Sequence, residues 1–221
     1  MNLALFDFDG TITSSNTWTP FLRFAVRPSR LMVGRVLLLP VIVGHRIGVL
    51  PAGRARQFAN CVAFKGERTS VLRQRGIEYA AGVLPQTVRP WALDRIEWHK
   101  AQGDDVVVVS ASLNVYLRPW CEARDLLYIC TTLEERADRL TGRCVDGDCS
   151  GAEKARRIRE RFDLSRYPVV YAYGDTPDDR AMLELAHRKY YRGQEVSSLD
   201  EVTDHGDPPI IATNNAKSTA D

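Results

Sequence analysis

The sequence predicts an α/β protein with a mainly parallel sheet, interrupted by a helical insertion. Three observations carry this prediction. Short apolar runs, rich in β-branched or aromatic residues, recur at Leu3–Phe6, Val106–Val109 and Val169–Tyr173. That is the pattern of strands buried on both faces. Segments with helical start and stop signals lie between and after them. Finally, the stretch from Trp18 to Val83 has no such run and carries eleven Lys and Arg against two Glu.

The elements follow in order. Leu3–Phe6 is the first strand and runs straight into Asp7-Phe8-Asp9-Gly10-Thr11. Residues 18–83 read as mostly helical. Arg89–Gln102 reads as a helix, with Pro90 near its start and Gly103 just past its end. The "VVVV" strand ends in Ser110, and Val115–Arg124 is the next helix. Leu126–Thr131 is a further strand. Residues 138–149, "DRLTGRCVDGDC", carry turn signals at Thr141-Gly142 and Asp146-Gly147 and read as a hairpin. Ala152–Phe162 is a strongly basic helix that contains Lys154. The third run ends at Tyr173, before Gly174-Asp175, and Asp178–His187 is the last helix. The expected organisation is an α/β unit of residues 1–17 and 84–206, an insertion at 18–83, and a loose polar tail at 207–221.

Composition bounds the classes. With 221 residues, 44% hydrophobic and 26% charged, the chain suits one soluble domain with a smaller insertion. Its net charge of +2 conceals a basic insertion and an acidic remainder. Those basic residues are spread through an apolar helical segment with few aromatics, so nucleic acid is not an expected partner. The five cysteines form no CxxC pair and lack a spaced His partner, which points to a reduced, cytoplasmic setting. Cys144 and Cys149 alone are too few for a zinc site. The opening residues have no basic n-region, so no signal peptide is expected.

Open parallel sheets bind ligands beyond the carboxyl ends of their strands. If the three apolar runs are neighbours, Asp7, Asp9, Ser110 and Asp175 converge there. Carboxylates so close raise one another's pKa unless a cation neutralises them. Oxygen ligands without His or Cys select a hard ion, Mg²⁺ foremost, and Mg²⁺ between carboxylates implies a phosphate. Each residue alone has a plainer reading. "FDFDG" divides evenly between a hairpin turn and a site. Ser110 alone reads as a helix cap, Asp175-Thr-Pro-Asp178 as another, and Lys154 as a solvated charge. Their order and co-occurrence favour the site.

With these four in place, the sequence resembles the haloacid dehalogenase superfamily of phosphohydrolases, in the phosphoserine phosphatase-like branch, subfamily IB. Asp7-Phe8-Asp9-Gly10-Thr11 matches its Asp-x-Asp-x-Thr motif. Ser110 matches the strand-ending Ser or Thr, Lys154 the Lys at a helix start, and Gly174-Asp175 with Asp179 the Gly-Asp-x-x-x-Asp motif. The resemblance implies a Rossmann-like core with an inserted C1-type cap. It also implies roles: Asp7 as nucleophile, Asp9 as general acid and base, and Ser110, Ala111 and Lys154 on the phosphoryl group. Asp7, Asp9 through its carbonyl, Asp175 and Asp179 would surround Mg²⁺. Asp179 is preferred to Asp178 because it lies four places after Asp175. Phosphotransferases and mutases share the scaffold, and a binding module with a relict site is a further alternative.

The insertion sits where this family carries the cap that selects substrate. Phosphoserine phosphatases usually have Ser after the second Asp and an acid soon after. Here Gly10 is followed by "TITSSNTW", which argues against phosphoserine and leaves a soluble phosphorylated metabolite or a phospholipid headgroup. From Leu31 to Val43 only Arg35 is charged. Thirteen helical residues rise about 20 Å, short of a membrane span, and Pro40 should break the helix. Residues 30–50 fit peripheral contact with an anionic membrane at its inner face. They fit a buried cap helix or a dimer contact equally well. The layout is loosely similar to bacterial phosphatidylglycerophosphate phosphatases of the same branch.

Overall fold

The computed structural model describes residues 1–199; the predicted tail at 207–221 lies outside them. The central sheet has seven strands: β1 (Leu3–Phe6), β2 (Asp105–Leu113), β3 (Leu127–Arg136), β4 (Arg139–Val145), β5 (Val170–Gly174), β6 (Arg188–Tyr191) and β7 (Gln194–Val196). Their spatial order is β4-β3-β2-β1-β5-β6-β7. The inner pairings are parallel, and β4 and β7 add antiparallel edges.

Side chains alternate across the inner strands, as strand geometry requires. Ala4, Phe6, Val106, Val108, Tyr171 and Tyr173 face one hydrophobic cluster. Leu3, Leu5, Val107, Val109, Val170 and Ala172 face another. Both sides are therefore apolar, which is why the runs in the sequence are continuous. The first cluster is covered by α5 (Thr69–Gly82), α6 (Pro90–Ala101) and α7 (Asn114–Glu122). The second is covered by α8 (Ala152–Arg161) and α9 (Arg180–Leu183). This is an α/β fold with helices on both faces.

Between β1 and α5 lie α1 (Trp18–Ala25), α2 (Pro28–Leu37), α3 (Leu39–Arg46) and α4 (Ala52–Phe64). Helix α2 stops just before Pro40, which occupies the first turn of α3, where a missing N–H costs nothing. The segments leading in and out are zipped together. Thr13 bridges Val88, Ser14 N donates to Thr87 O, and Arg89 N donates to Ile12 O.

Four expectations need correction. Strand β2 runs four residues past Val109, because its pairing with β3 resumes at Leu113 beyond an irregularity, and β3 runs five past Thr131, because it pairs there with β4. The hairpin turn is Ala137-Asp138, both at positive φ (46° and 59°), rather than either glycine turn. Helix α9 is a single turn instead of Asp178–His187. The chain is recaptured by the sheet at His187, whose N–H donates to Val170 O and whose Nδ1 accepts from Val170 N, and it continues as β6. Strands β6 and β7, in which charged residues interrupt the apolar ones, escaped the sequence reading.

Helix α5 crosses α7 at Gly76, where a Cβ would stand 1.9 Å from the carbonyl oxygen of Val115. Alanine gains about 1 kcal/mol of helix propensity, but a backbone contact that short is relieved only by moving a helix, at about 1–3 kcal/mol. Gly76→Ala should therefore lower the melting temperature. A variant melting at or above the parent would show that the crossing is not tight.

Candidate active site

The register of the sheet brings the acids together. Phe6 stands opposite both Val108 and Tyr173, so β1, β2 and β5 deliver Asp7, Ser110 and Asp175 to the same end. Asp7 N donates to Tyr173 O at 2.9 Å. The chain then turns sharply through Gly10 at φ +92°, where a Cβ would stand 2.2 Å from Asp175 Oδ2. Gly10 thus suits both the positive φ of the turn and the close approach of the Asp175 carboxylate. Thr11 Oγ1 donates to Asp175 Oδ1 at 2.9 Å, locking the two loops.

Lys154 is the hub. It is 2% exposed, so the solvated-charge reading is wrong. Its Nζ lies 2.5 Å from Asp7 Oδ1 and 2.6 Å from Asp179 Oδ1. Burial opposes its charge, but the two carboxylates outweigh that and hold its pKa above the ordinary lysine value. Asp179 Oδ2 accepts from the backbone N–H groups of Asp175 and Thr176 and from Thr176 Oγ1. Despite burial, Lys154 and these donors keep the Asp179 pKa low. The turn at 175–179 is therefore closed by Thr176 and Asp179, not by Asp175. Asp178 is half exposed and lies 3.9 Å from Arg56, outside this cluster.

At Asp7 and Asp175 the compensation from Lys154 and, for Asp175, from Thr11 is outweighed. Burial and the Asp179 charge raise both, Asp7 strongly and Asp175 to about 6. Oxygens of Asp7, Asp175 and Asp179 lie within 4.8 Å of one another. Three carboxylates share one ammonium, so the site is short of positive charge. An all-oxygen donor set with that deficit fits a hard divalent cation. Among the described residues no comparable group forms around Cys144 or Cys149; all five cysteines are free thiols.

Asp9 is held differently. Its Oδ1 accepts from Thr17 N at 2.8 Å and Thr17 Oγ1 at 2.6 Å, and its Oδ2 accepts from Ser112 Oγ at 2.8 Å. Tyr116 OH donates to Ser112 Oγ, and Tyr79 OH donates to Thr17 O. Burial raises the Asp9 pKa, and the hydroxyls of Thr17 and Ser112 partly oppose it. None of these partners was read from the sequence. Ser112 had a signal, since it lies two places from Ser110 on one strand. Thr17, Tyr79 and Tyr116 had none, because only the packing of the insertion on α7 brings them close. Ser110 is buried within β2, its Oγ accepting from Ser112 N at 3.0 Å, so it caps no helix.

These groups open on a cavity of about 890 Å³, whose wall includes Ser110 and Ala111. The helical insertion contributes Arg56, which pairs with Asp148 at 2.7 Å. The charge that faces the reacting end from the insertion is therefore positive.

A model of the haloacid dehalogenase-like hydrolases matches residues 4–184. Protein CicA of Caulobacter vibrioides is 32% identical over 197 residues, which are 86% of this chain and 85% of that protein. A probable phosphatase of Mycobacterium tuberculosis is 38% identical over 96 residues, 42% of this chain and 33% of that one. A substrate-bound phosphoserine phosphatase superposes with a TM-score of 0.62 at 18% identity, covering 86% of this chain and 85% of that one, a likeness of fold.

Removing the ammonium should expose the charge deficit. Lys154→Met leaves buried carboxylates unpaired, a loss of about 3–5 kcal/mol. Denaturant unfolding should show that loss in EDTA and a partial recovery in Mg²⁺. Equal stability of variant and parent in EDTA would contradict the charge balance.

Proposed function

The chain belongs to the haloacid dehalogenase-like hydrolases, and on that premise we propose that it hydrolyses phosphate monoesters through a covalent intermediate on Asp7. The observation that carries this reading is the pairing of two buried acids with different surroundings. Asp7 is gripped by Lys154, while Asp9, two residues on, is held by hydroxyls. One acid suits a nucleophile and the other a proton carrier.

In this mechanism the Asp7 carboxylate attacks phosphorus in line and the bond to the leaving alcohol breaks. Asp9 gives that oxygen its proton. Asp9 then takes a proton from water, whose oxygen attacks phosphorus, releasing phosphate and restoring Asp7. Ser110 Oγ and the Ala111 backbone orient the phosphoryl oxygens, and Lys154 balances the charge that gathers on them. Asp179 positions Lys154. A bound Mg²⁺, held by Asp7, Asp175 and the Asp9 carbonyl, would neutralise the acids and polarise the phosphoryl group. Asp179 supports that site from behind, since both its oxygens already accept hydrogen bonds.

The leaving group is an anionic or neutral alcohol. A phosphoserine ammonium would meet Arg56 as the insertion's contribution to the cavity wall, and residues 10–66 contain no acid. Soluble monoesters and lipid phosphates both present the required dianion.

Asp7→Asn should abolish hydrolysis of p-nitrophenyl phosphate while leaving the melting curve intact, and full activity would sink the mechanism. EDTA should stop the parent enzyme and Mg²⁺ restore it. A screen of soluble monoesters beside phosphatidylglycerophosphate, with Asp7→Asn as blank, reads the leaving group. In single-turnover measurements of alcohol release, the step before water attacks, Ser112→Ala should slow alkyl phosphates by about 10²-fold or more and p-nitrophenyl phosphate far less, since that leaving group needs no proton. An equal loss on both would remove Ser112 from the positioning of Asp9.

A further inference from the structure

The insertion turns a run of large apolar side chains to solvent. On α2, Met32, Val33, Val36 and Leu37 are each more than half exposed, with Val36 at 74%. Beyond α3, Ile47 and Val49 are also mostly exposed, Val49 at 75%. The inner side of α2 is apolar too: Leu31 packs against the core, and a Cβ on Gly34 would touch Val62. Apart from Ser29, Arg30 and Arg35, helix α2 is apolar on its inner and outer sides alike, and an apolar outer side belongs against a protein partner or lipid. The buried-helix reading of this stretch is therefore excluded.

Charge selects what covers the patch. Residues 10–66 contain eight Lys and Arg and no Asp or Glu. Arg23, Arg27, Arg35 and Arg54 are exposed around the apolar run. A second copy docked face to face would set one acid-free basic surface against another. An anionic bilayer complements it, at about 1 kcal/mol per basic residue near the surface. No helix among the described residues is long and apolar enough to cross a membrane. Helix α2 has ten residues and α3 eight, so neither approaches the ~30 Å hydrocarbon core. Two short helices with apolar outer sides and flanking arginines suit the interface.

We propose that residues 32–49 form a docking surface for the anionic face of a lipid bilayer, with α2 and α3 in the interfacial plane and the arginines at phosphate level. The surface lies close to the cavity along the chain. From Val49 to Arg56 the path is at most about 17 Å, three linking residues and four of helix. Docking therefore holds the cavity mouth near the headgroups. This deepens the phosphatase reading and rests on it for one point only, that the substrate delivered there is a lipid-borne phosphomonoester.

The test is cosedimentation of the full chain with phosphatidylglycerol-containing vesicles and with phosphatidylcholine vesicles, at low and high salt. Hydrolysis of p-nitrophenyl phosphate and light-scattering mass are measured alongside. The parent should sediment with anionic vesicles and at least about tenfold less with phosphatidylcholine or in high salt. Val33→Glu/Val36→Glu and, separately, Arg23→Glu/Arg35→Glu should each reduce anionic-vesicle binding about tenfold or more. Both should keep the melting temperature and the aryl phosphatase rate of the parent. A parent that stays in the supernatant at low salt overturns the proposal, as does equal binding by the valine variant. A stable dimer that the valine variant dissolves assigns the patch to a second copy and also overturns it. Vesicle binding without any aryl phosphatase activity would leave docking intact and count against the catalytic reading alone.

Discussion

The buried contact of Lys154 with Asp7 and Asp179 is the constraint on which the site depends. A lysine stays charged out of water only beside carboxylates, so α8 must dock where its first turn meets the carboxyl ends of β1 and β5. That fixes the 175–179 turn, because the Asp179 oxygen not used by Lys154 is spent on backbone donors at Asp175 and Thr176. The turn in turn holds Asp175 against Gly10, leaving no space for a side chain there. One lysine with two ion pairs thus sets the geometry of three loops. It still leaves the cluster short of positive charge, a deficit that fits a hard divalent cation.

The two acids of the first loop are separated by their partners rather than by their spacing. Asp7 is in contact with an ammonium and stands among other carboxylates; Asp9 accepts its hydrogen bonds from hydroxyls and a backbone N–H. The hydroxyls come from β2 and from the start of the insertion, where Tyr79 of α5 secures Thr17. The setting of Asp9 is therefore tied to the seating of α5 on α7, and so to the close crossing at Gly76. Packing some distance from phosphorus can shape the chemistry in this way.

Charge is divided along the chain with a physical consequence. The acidic α/β unit concentrates carboxylates where a cation can use them. The insertion, free of acids until Glu67, faces the cavity with Arg56 and faces solvent with apolar side chains and arginines. On the readings proposed above, one segment would attract both an anionic substrate and an anionic surface.

Much of the molecule was legible in the sequence. Strands β1, β2 and β5 are buried on both faces, so their apolar runs needed no tertiary information, and the acids that follow them in order marked the site. Gly10 was legible as a departure from the family pattern, while its contact with Asp175 was not, because residue 175 is distant in the chain. The short α9 was illegible because capture of the chain by β5 cuts a helical pattern short, and β6 and β7 because charged residues interrupt their apolar ones. Thr17, Ser112 and Tyr116 were illegible as a group because hydrogen bonds between residues 9, 17, 112 and 116 are made only on folding. The sequence by itself determined the sheet core, the order of the reacting groups and the basic, apolar character of the insertion, all of which follow from local composition and periodicity. Only the tertiary structure decided which oxygen meets which donor, that Lys154 is buried, and that the apolar run of α2 faces outward, because burial and partnership are properties of residues distant in the chain.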